Sequence, residues 1–373
     1  MKLVFWISVV LILYTYAGYP LWLWLRRRWN PRPVQLGQEL KTVSVVLVCR
    51  NEEDVLSGKL ENLKSLDYPR ELVQIITVSD GSIDGTNRIL QEYEKRGDIR
   101  ALIVTEHEGK AQGLNAAAQV ATGEIVLFTD ARQKLEPGAL RRLIENFSDP
   151  TVGAVSGELM LGDPEAGESS AGVGLYWRME KAVRSMESAS GSVVGATGAL
   201  YCVRKGLMVE VPSGTILDDV FTPMSVVRQG YRVILDPRAR AWDRPNLGGR
   251  REFRRKVRTL TGNYQLLQLA PWLLSASNRL RFEFVSHKLL RLIVPFALLG
   301  TFLTSMFLPG AAYRVVFLVQ LAFYALGILS ILSDRLGFLG RVADASLTFV
   351  LLNTAALVAM LNFITGRRPA WMR

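Results

Sequence analysis

The chain has 373 residues, 49% of them hydrophobic and 21% charged, with a formal net charge of +11. A mean hydropathy of +0.17 is too apolar for one ordinary soluble domain and too polar for a bundle of spanning helices alone, so a mixed protein is expected. The basic balance raises nucleic acid as a partner. No nucleic-acid motif is present, however, and aromatics do not alternate with the charges as a single-strand platform needs, so a lipid surface or a phosphorylated substrate fits better.

In chain order, Leu3 to Leu25 carries no charge and is long enough to cross a hydrocarbon core of about 30 Å as a helix. A signal peptide is the alternative, but the run is too long, only Lys2 precedes it and no small-residue cleavage pattern follows. It runs instead into Arg26, Arg27 and Arg28, which favour the cytoplasmic side. A retained membrane anchor over residues 1–28 is therefore expected, followed by a short linker at 31–38. Cys49 and Cys202 are the only cysteines and lie in apolar, strand-like runs, as buried thiols of a reducing compartment would.

The stretches 43–49, 73–79, 100–106 and 124–129 are short, rich in β-branched residues and apolar nearly throughout, the pattern of strands covered on both faces. Between them lie helix-compatible segments at 52–66, 86–95 and 110–120. This alternation predicts an α/β domain with right-handed crossovers and a mostly parallel sheet, spanning residues 41–285. Further on, 152–161 reads as a strand, 176–188 as a helix, 195–205 as a loop entering a strand, 217–230 as a helix and 231–236 as a strand. The densest basic run, GGRREFRRKVR at 248–258, precedes three more uncharged stretches at 292–313, 315–333 and 345–366. The region 286–373 is thus expected to hold about three further spanning helices, giving a multi-pass protein with a cytoplasmic central domain. One conflict stays open: one helix before and three after put the C-terminus outside, whereas Arg367, Arg368 and Arg373 favour the inside.

In open parallel sheets ligands bind at the carboxyl ends of the strands, and the unusual polar residues collect there. Arg50, Asn51, Glu52 and Glu53 follow the first strand, SDGSIDGT (79–86) the second and TDAR (129–132) the fourth. SDGSIDGT also has a plain turn-and-cap reading, with Gly81 and Gly85 turning the chain and Asp84 capping the next helix. Asp80 stands where a strand end can offer a carboxylate to a nucleobase N–H or a ribose hydroxyl. Lys110, at a helix start, is either a solvated lysine or a cation facing phosphate. Asp218 and Asp219 end an apolar run at a helix start, as capping residues or as a general base. Arg255 and Arg258, three apart on one helical face, suit a leaving diphosphate or lipid head groups equally.

The order VSVVLVCRNEE (43–53), SDGSIDGT, EGKAQGLNAA (108–117), FTDAR (128–132), GATGALY (195–201), ILDD (216–219) and RRKVRTLTGN (254–263) resembles the membrane-bound family 2 glycosyltransferases. That group includes the cellulose, chitin, hyaluronan and poly-N-acetylglucosamine synthases. Each motif is weak alone; seven in family order over the whole chain are specific. The resemblance implies a GT-A fold, a nucleotide-sugar donor, commonly a UDP-sugar, and a glycan or lipid-linked acceptor, with room for accessory subunits. Asn51, Glu52 and Arg132 stand at these strand ends as expected donor contacts, and the resemblance places further ones on Asp80, Lys110, Asn115 and Asp130. Asp130 is the metal ligand, for Mg²⁺ or Mn²⁺. Asp219 is the catalytic base with Asp218 beside it, and Gly198, Arg255 and Arg258 are acceptor or diphosphate contacts. The implied chemistry is an inverting displacement that builds a polysaccharide.

Two departures bear on this. The second carboxylate of the usual Asp-x-Asp turn is Arg132, and the tryptophan of the Gln-x-x-Arg-Trp motif is Thr259, which removes a stacking platform for a polymer end. Transfer of one sugar to a lipid-linked acceptor is therefore the alternative, and an inactive membrane scaffold the next.

Overall fold

The computed structural model of the chain describes residues 1–163, 167–168, 175–243, 249–332 and 337–366. Its central sheet has the order β3-β2-β1-β4-β8-β6-β9-β5. Strands β1 (Val43–Cys49), β2 (Val73–Asp80), β3 (Arg100–Val104) and β4 (Ile125–Thr129) are mutually parallel. On the other side, β8 (Tyr201–Arg204) runs antiparallel to β4 and to β6 (Val152–Asp163), while β6 and β9 (Arg232–Asp243) are parallel. The short β5 (Lys134–Leu135) caps β9, and β7 (Gly167–Glu168) hangs from β6. This is the mostly parallel α/β arrangement of a GT-A fold.

The strands are apolar throughout because both faces of the sheet are covered. Alternate residues of β1 and β4 enter opposite cores: Val45, Leu47, Ile125 and Leu127 on one face, Val46, Val126 and Phe128 on the other. The first face is closed by α3 (Glu53–Lys64), α4 (Thr86–Lys95) and α6 (Ala139–Glu145); the second by α5 (Lys110–Val120) and α8 (Asp218–Arg228). Both cysteines are free and buried.

Among the described residues, four helices are long and apolar enough to cross a membrane: Lys2–Trp29, Arg281–Phe307, Ala311–Leu329 and Val342–Ile364. The first joins α1 (Lys2–Leu13) and α2 (Tyr19–Trp29) through a π-turn, and the second joins α10 (Arg281–Phe284) and α11 (Leu290–Phe307) in the same way. The uncharged run at 292–313 is not one helix, because Pro309 and Gly310 (φ 131) break it ahead of α12 (Ala311–Leu332). The last is α13 (Gly337–Ile364). Val315, Leu318, Val319 and Leu321 of α12 are exposed, a surface that lipid would satisfy. The tail bearing Arg367, Arg368 and Arg373 lies outside the described residues.

Two helices dock the sheet domain onto these spans. Along α7 (Leu175–Ser190), Val183 packs with Tyr19 and Leu23 of α2, and a buried polar network crosses to the start of the second span. There His287 Nδ1 lies 2.8 Å from Glu187 Oε1 and Nε2 lies 3.0 Å from Glu180 Oε1, while the Tyr19 hydroxyl donates to Glu187 at 2.6 Å. Arg26, from the basic cluster, pairs with Glu283. Along α9 (Gly249–Leu269), Val257 packs on Ala355 and Ala359 of α13, and Tyr264 stacks on Phe363 at 5.5 Å.

Candidate active site

Both α5 and α8 begin at the carboxyl edge of the sheet, and each starts with a charged residue. Gly109 takes φ 96, a left-handed value open to glycine, and so turns the chain from β3 into α5 with Lys110 at the first helical position. The Lys110 ammonium lies 2.9 Å from Asp130 Oδ1, at the end of β4, and 3.4 Å from Asp218 Oδ2, in the first turn of α8. Burial opposes the charge, but Asp130 and then Asp218 hold this lysine well above its usual range. Next to Asp218, Asp219 is held by the 195–198 loop: Ala196 N donates to its carbonyl at 2.7 Å and Gly198 N to its Oδ2 at 3.3 Å.

Gly198 is the point where these carboxylates meet. A methyl built there would stand 3.5 Å from Asp130 Oδ2 and 3.6 Å from Asp219 Oδ2. Two carboxylates, Asp130 and Asp218, thus pair with one ammonium, and the third, Asp219, stands beside them at Gly198. Burial first, and the Asp218 charge second, push the Asp219 carboxyl up to about 6, with Lys110 opposing. A buried carboxylate with a pKa between 5 and 7 is suited to take a proton near neutral pH.

A divalent ion fits this set in company with a substrate. Among the described residues, no three His, Cys, Asp or Glu side chains converge to hold one. Asp130 offers Oδ2, and hard ions of this kind are often held by one or two carboxylates with substrate phosphate oxygens completing the shell. Arg132 brings no ligand: its side chain is 63% exposed, with Nε 3.4 Å from Glu52 Oε1.

The other expected contacts divide. Asn51 and Glu52 do stand on this edge. Asn51, at φ 53, accepts from Ile83 N at 2.9 Å, tying the β1 loop to the β2 loop. Asp80 is 4% exposed, and its oxygens are already engaged by Glu108 N (2.8 Å), Gly109 N (3.1 Å) and His107 Nδ1 (2.7 Å). It therefore fixes the loop that delivers Lys110. Asn115 is committed elsewhere, accepting from Val211 N and donating to Val211 O, both at 2.9 Å. Asp84 accepts from Thr86 N at 3.0 Å, although the capping position itself is Gly85. Arg255 faces Asp243 at 3.7 Å and Glu252 at 3.2 Å, and Arg258 is exposed one turn along α9.

Helix α9 reaches the site through its other residues. Gln265 accepts from Ile216 N at 2.9 Å and donates to Gly214 O at 2.8 Å, clamping the segment that leads into Asp218. Gly262 permits the approach, since a methyl there would fall 2.6 Å from Leu217 Cγ. Lys59 is a further missed residue. It is 3% exposed and its ammonium donates to Thr129 Oγ1 (2.8 Å) and Gln133 O (2.6 Å), bracing the turn that carries Asp130. Burial pushes its pKa down to about 7. The signal was a lysine at helical spacing among Leu56, Leu60 and Leu63, on a core-facing stripe.

Two family models match the chain, Glycosyl transferase family 2 over residues 44–201 and Glycosyl transferase family group 2 over residues 125–360. The second covers more than half of it, so the protein is a glycosyltransferase and belongs to glycosyl transferase family group 2. It is similar to the poly-beta-1,6-N-acetyl-D-glucosamine synthase of Staphylococcus aureus (strain MSSA476), 27% identical over 254 residues, 65% of this chain and 60% of that one. The synthase of the same name from Staphylococcus epidermidis is 26% identical over 246 residues, 63% of this chain and 58% of its own. The matches thus span less than two thirds of the length of these curated relatives. The fold is shared with the mannosyltransferase PcManGT from Pyrobaculum calidifontis, solved with GDP-Man and Mn²⁺, at a TM-score of 0.73 and 23% identity over 98% of this chain and 100% of that one.

Proposed function

We propose that this glycosyltransferase transfers a sugar, with inversion, from a nucleotide-sugar donor, a UDP-sugar in the first instance, to a growing glycan. The observation that carries the proposal is the convergence of Lys110, Asp130 and Asp219 around Gly198. In the proposed step Asp219 takes the proton of an acceptor hydroxyl, whose oxygen bonds the anomeric carbon as the bond to the diphosphate breaks. The nucleoside diphosphate leaves on the opposite face, so an α-linked donor gives a β-linkage. Lys110, and Arg132 at the rim, supply positive charge for the departing phosphates. A divalent ion, Mg²⁺ or Mn²⁺, bound with the diphosphate would be held by Asp130 and would neutralise the same charge; the Mn²⁺ of PcManGT supports this.

The synthase relatives support a polymeric product in the cell envelope. Four apolar helices support a multi-pass protein of the inner membrane, and the Arg26–Arg28 cluster supports a cytoplasmic sheet domain, residues 41–285, between an anchor at 1–28 and a membrane region at 286–373. Thr259, exposed on α9 in the place of an acceptor-stacking tryptophan, favours a second reading: a single transfer to a lipid-linked acceptor.

Purified protein assayed against a panel of sugar nucleotides for nucleotide release, with and without Mg²⁺ or Mn²⁺, tests the donor and ion. Labelled donor then separates the readings, because polymer stays in the aqueous phase and a single-sugar glycolipid is extracted into organic solvent. No release from any sugar nucleotide would refute the proposal.

A further inference from the structure

The donor reading above places a nucleoside against the carboxyl ends of β1 to β3, and Asp80, the expected base contact, has no open oxygen to offer it. The side chain that Asp80 holds does. His107 Nδ1 lies 2.7 Å from Asp80 Oδ2, its side chain is 30% exposed, and among the described residues no hydrogen-bond partner faces Nε2. A carboxylate only accepts, so Nδ1 carries the proton, and in the neutral ring Nε2 is left as an acceptor.

The neighbouring loops are built to keep this ring in place. Gly81, at φ 64, lets the chain before His107 close in: a methyl at Gly81 would stand 2.7 Å from His107 N. The same loop is tied to Asn51, and it carries Ile83, 92% exposed, an apolar side chain left at the rim. An acceptor held in one orientation at this edge of the sheet is what a heterocycle with a ring N–H requires.

We propose that His107 Nε2 reads the nucleobase by accepting a hydrogen bond from its ring N–H. Uracil and guanine carry such a group; adenine and cytosine present an unprotonated ring nitrogen at the corresponding edge. The site therefore takes uridine or guanosine diphosphates ahead of adenosine or cytidine diphosphates. This rests on the donor reading, and the test below fails differently for each.

Binding of UDP, GDP, ADP and CDP to the full chain in detergent, with Mg²⁺, is measured by titration calorimetry. Wild type is expected to bind UDP or GDP about tenfold more tightly than ADP and CDP. His107→Asn places an amide where Nδ1 was and keeps the Asp80 contact, but removes Nε2; the preferred nucleotide should weaken about tenfold and the preference vanish. His107→Gln reaches the place of Nε2 with an amide oxygen and should keep the preference. Wild-type affinity and selectivity in His107→Asn, or ADP or CDP binding as tightly as UDP and GDP in wild type, would overturn the assignment of His107 alone. Binding of none of the four would overturn the donor reading, and His107 with it.

Discussion

Replacing Asp218 by Asn removes one negative charge beside the proposed base and changes little else, because the two side chains are nearly isosteric. In wild type the Asp219 carboxyl is pushed up to about 6, by burial first and by Asp218 second. A base must be deprotonated to act, so kcat/KM should be flat above pH 7 and fall on the acid side through pH 6. At pH 5 about a tenth of the base is ionised, a loss of about tenfold. An unperturbed aspartate would lose almost nothing at that pH. In Asp218→Asn the acid limb should move to lower pH, yet stay above the ordinary aspartate range because burial, the larger cause, is unchanged. Lys110 loses one of its two carboxylate partners in this variant, so the plateau rate falls as well; the position of the limb, rather than its height, is what the titration controls. The assay is nucleotide release at saturating acceptor across pH 4.5 to 8. An acid limb at the same pH in both proteins, or a limb near pH 4 in wild type, would refute this account of Asp219.

Three further outcomes follow from the geometry. Gly198→Ala puts a methyl 3.5–3.6 Å from Asp130 and Asp219, ordinary contact distances at a backbone angle any residue accepts; thermal unfolding should barely move while kcat falls about a hundredfold, since it crowds the reacting atoms. Arg132→Asp restores a second carboxylate at the turn and should tighten the requirement for divalent ion, read as a lower metal concentration at half-maximal rate; unchanged activity and metal requirement would make Arg132 a surface residue only. Asn115→Ala strips two hydrogen bonds from the Val211 main chain and should cost about 1–3 kcal/mol of stability while leaving nucleotide affinity intact; a lost affinity with unchanged stability would return Asn115 to the donor site.

The parallel half of the sheet was legible in the sequence because its strands are buried on both faces and its helices start at recognisable signals. Thr86–Lys95 and Lys110–Val120 have the bounds that their apolar spacing predicts. The second half was less so, for identifiable reasons. Pro237 marks an apparent end to the last strand, yet β9 runs on to Asp243, and the proline falls where the register with β6 jumps from Leu235–Ser156 to Arg240–Glu158. A proline there costs no ladder bond. Pro309 and Gly310 were hidden inside an uncharged run. At the site, residue types at strand ends located the edge and the charges on it. They did not show which atoms the fold itself consumes: Asp80 is taken up by the 107–109 amides and ring, and Asn115 by Val211. Such pairings join residues 28 and 96 positions apart, beyond any local pattern. His107 escaped for the same reason, since its partner Asp80 comes from another strand, whereas Lys59 did leave a local mark, a lysine on the core-facing stripe of its helix.

The central claim is that Asp219 is the base, and Asp219→Asn tests it most directly. Single-turnover transfer from labelled donor to acceptor should fall by about 10²- to 10⁴-fold, while the affinity for the nucleotide diphosphate, measured in the same preparation, should change by less than about threefold. Equal transfer rates in the two proteins would remove Asp219 from the chemistry and contradict the account.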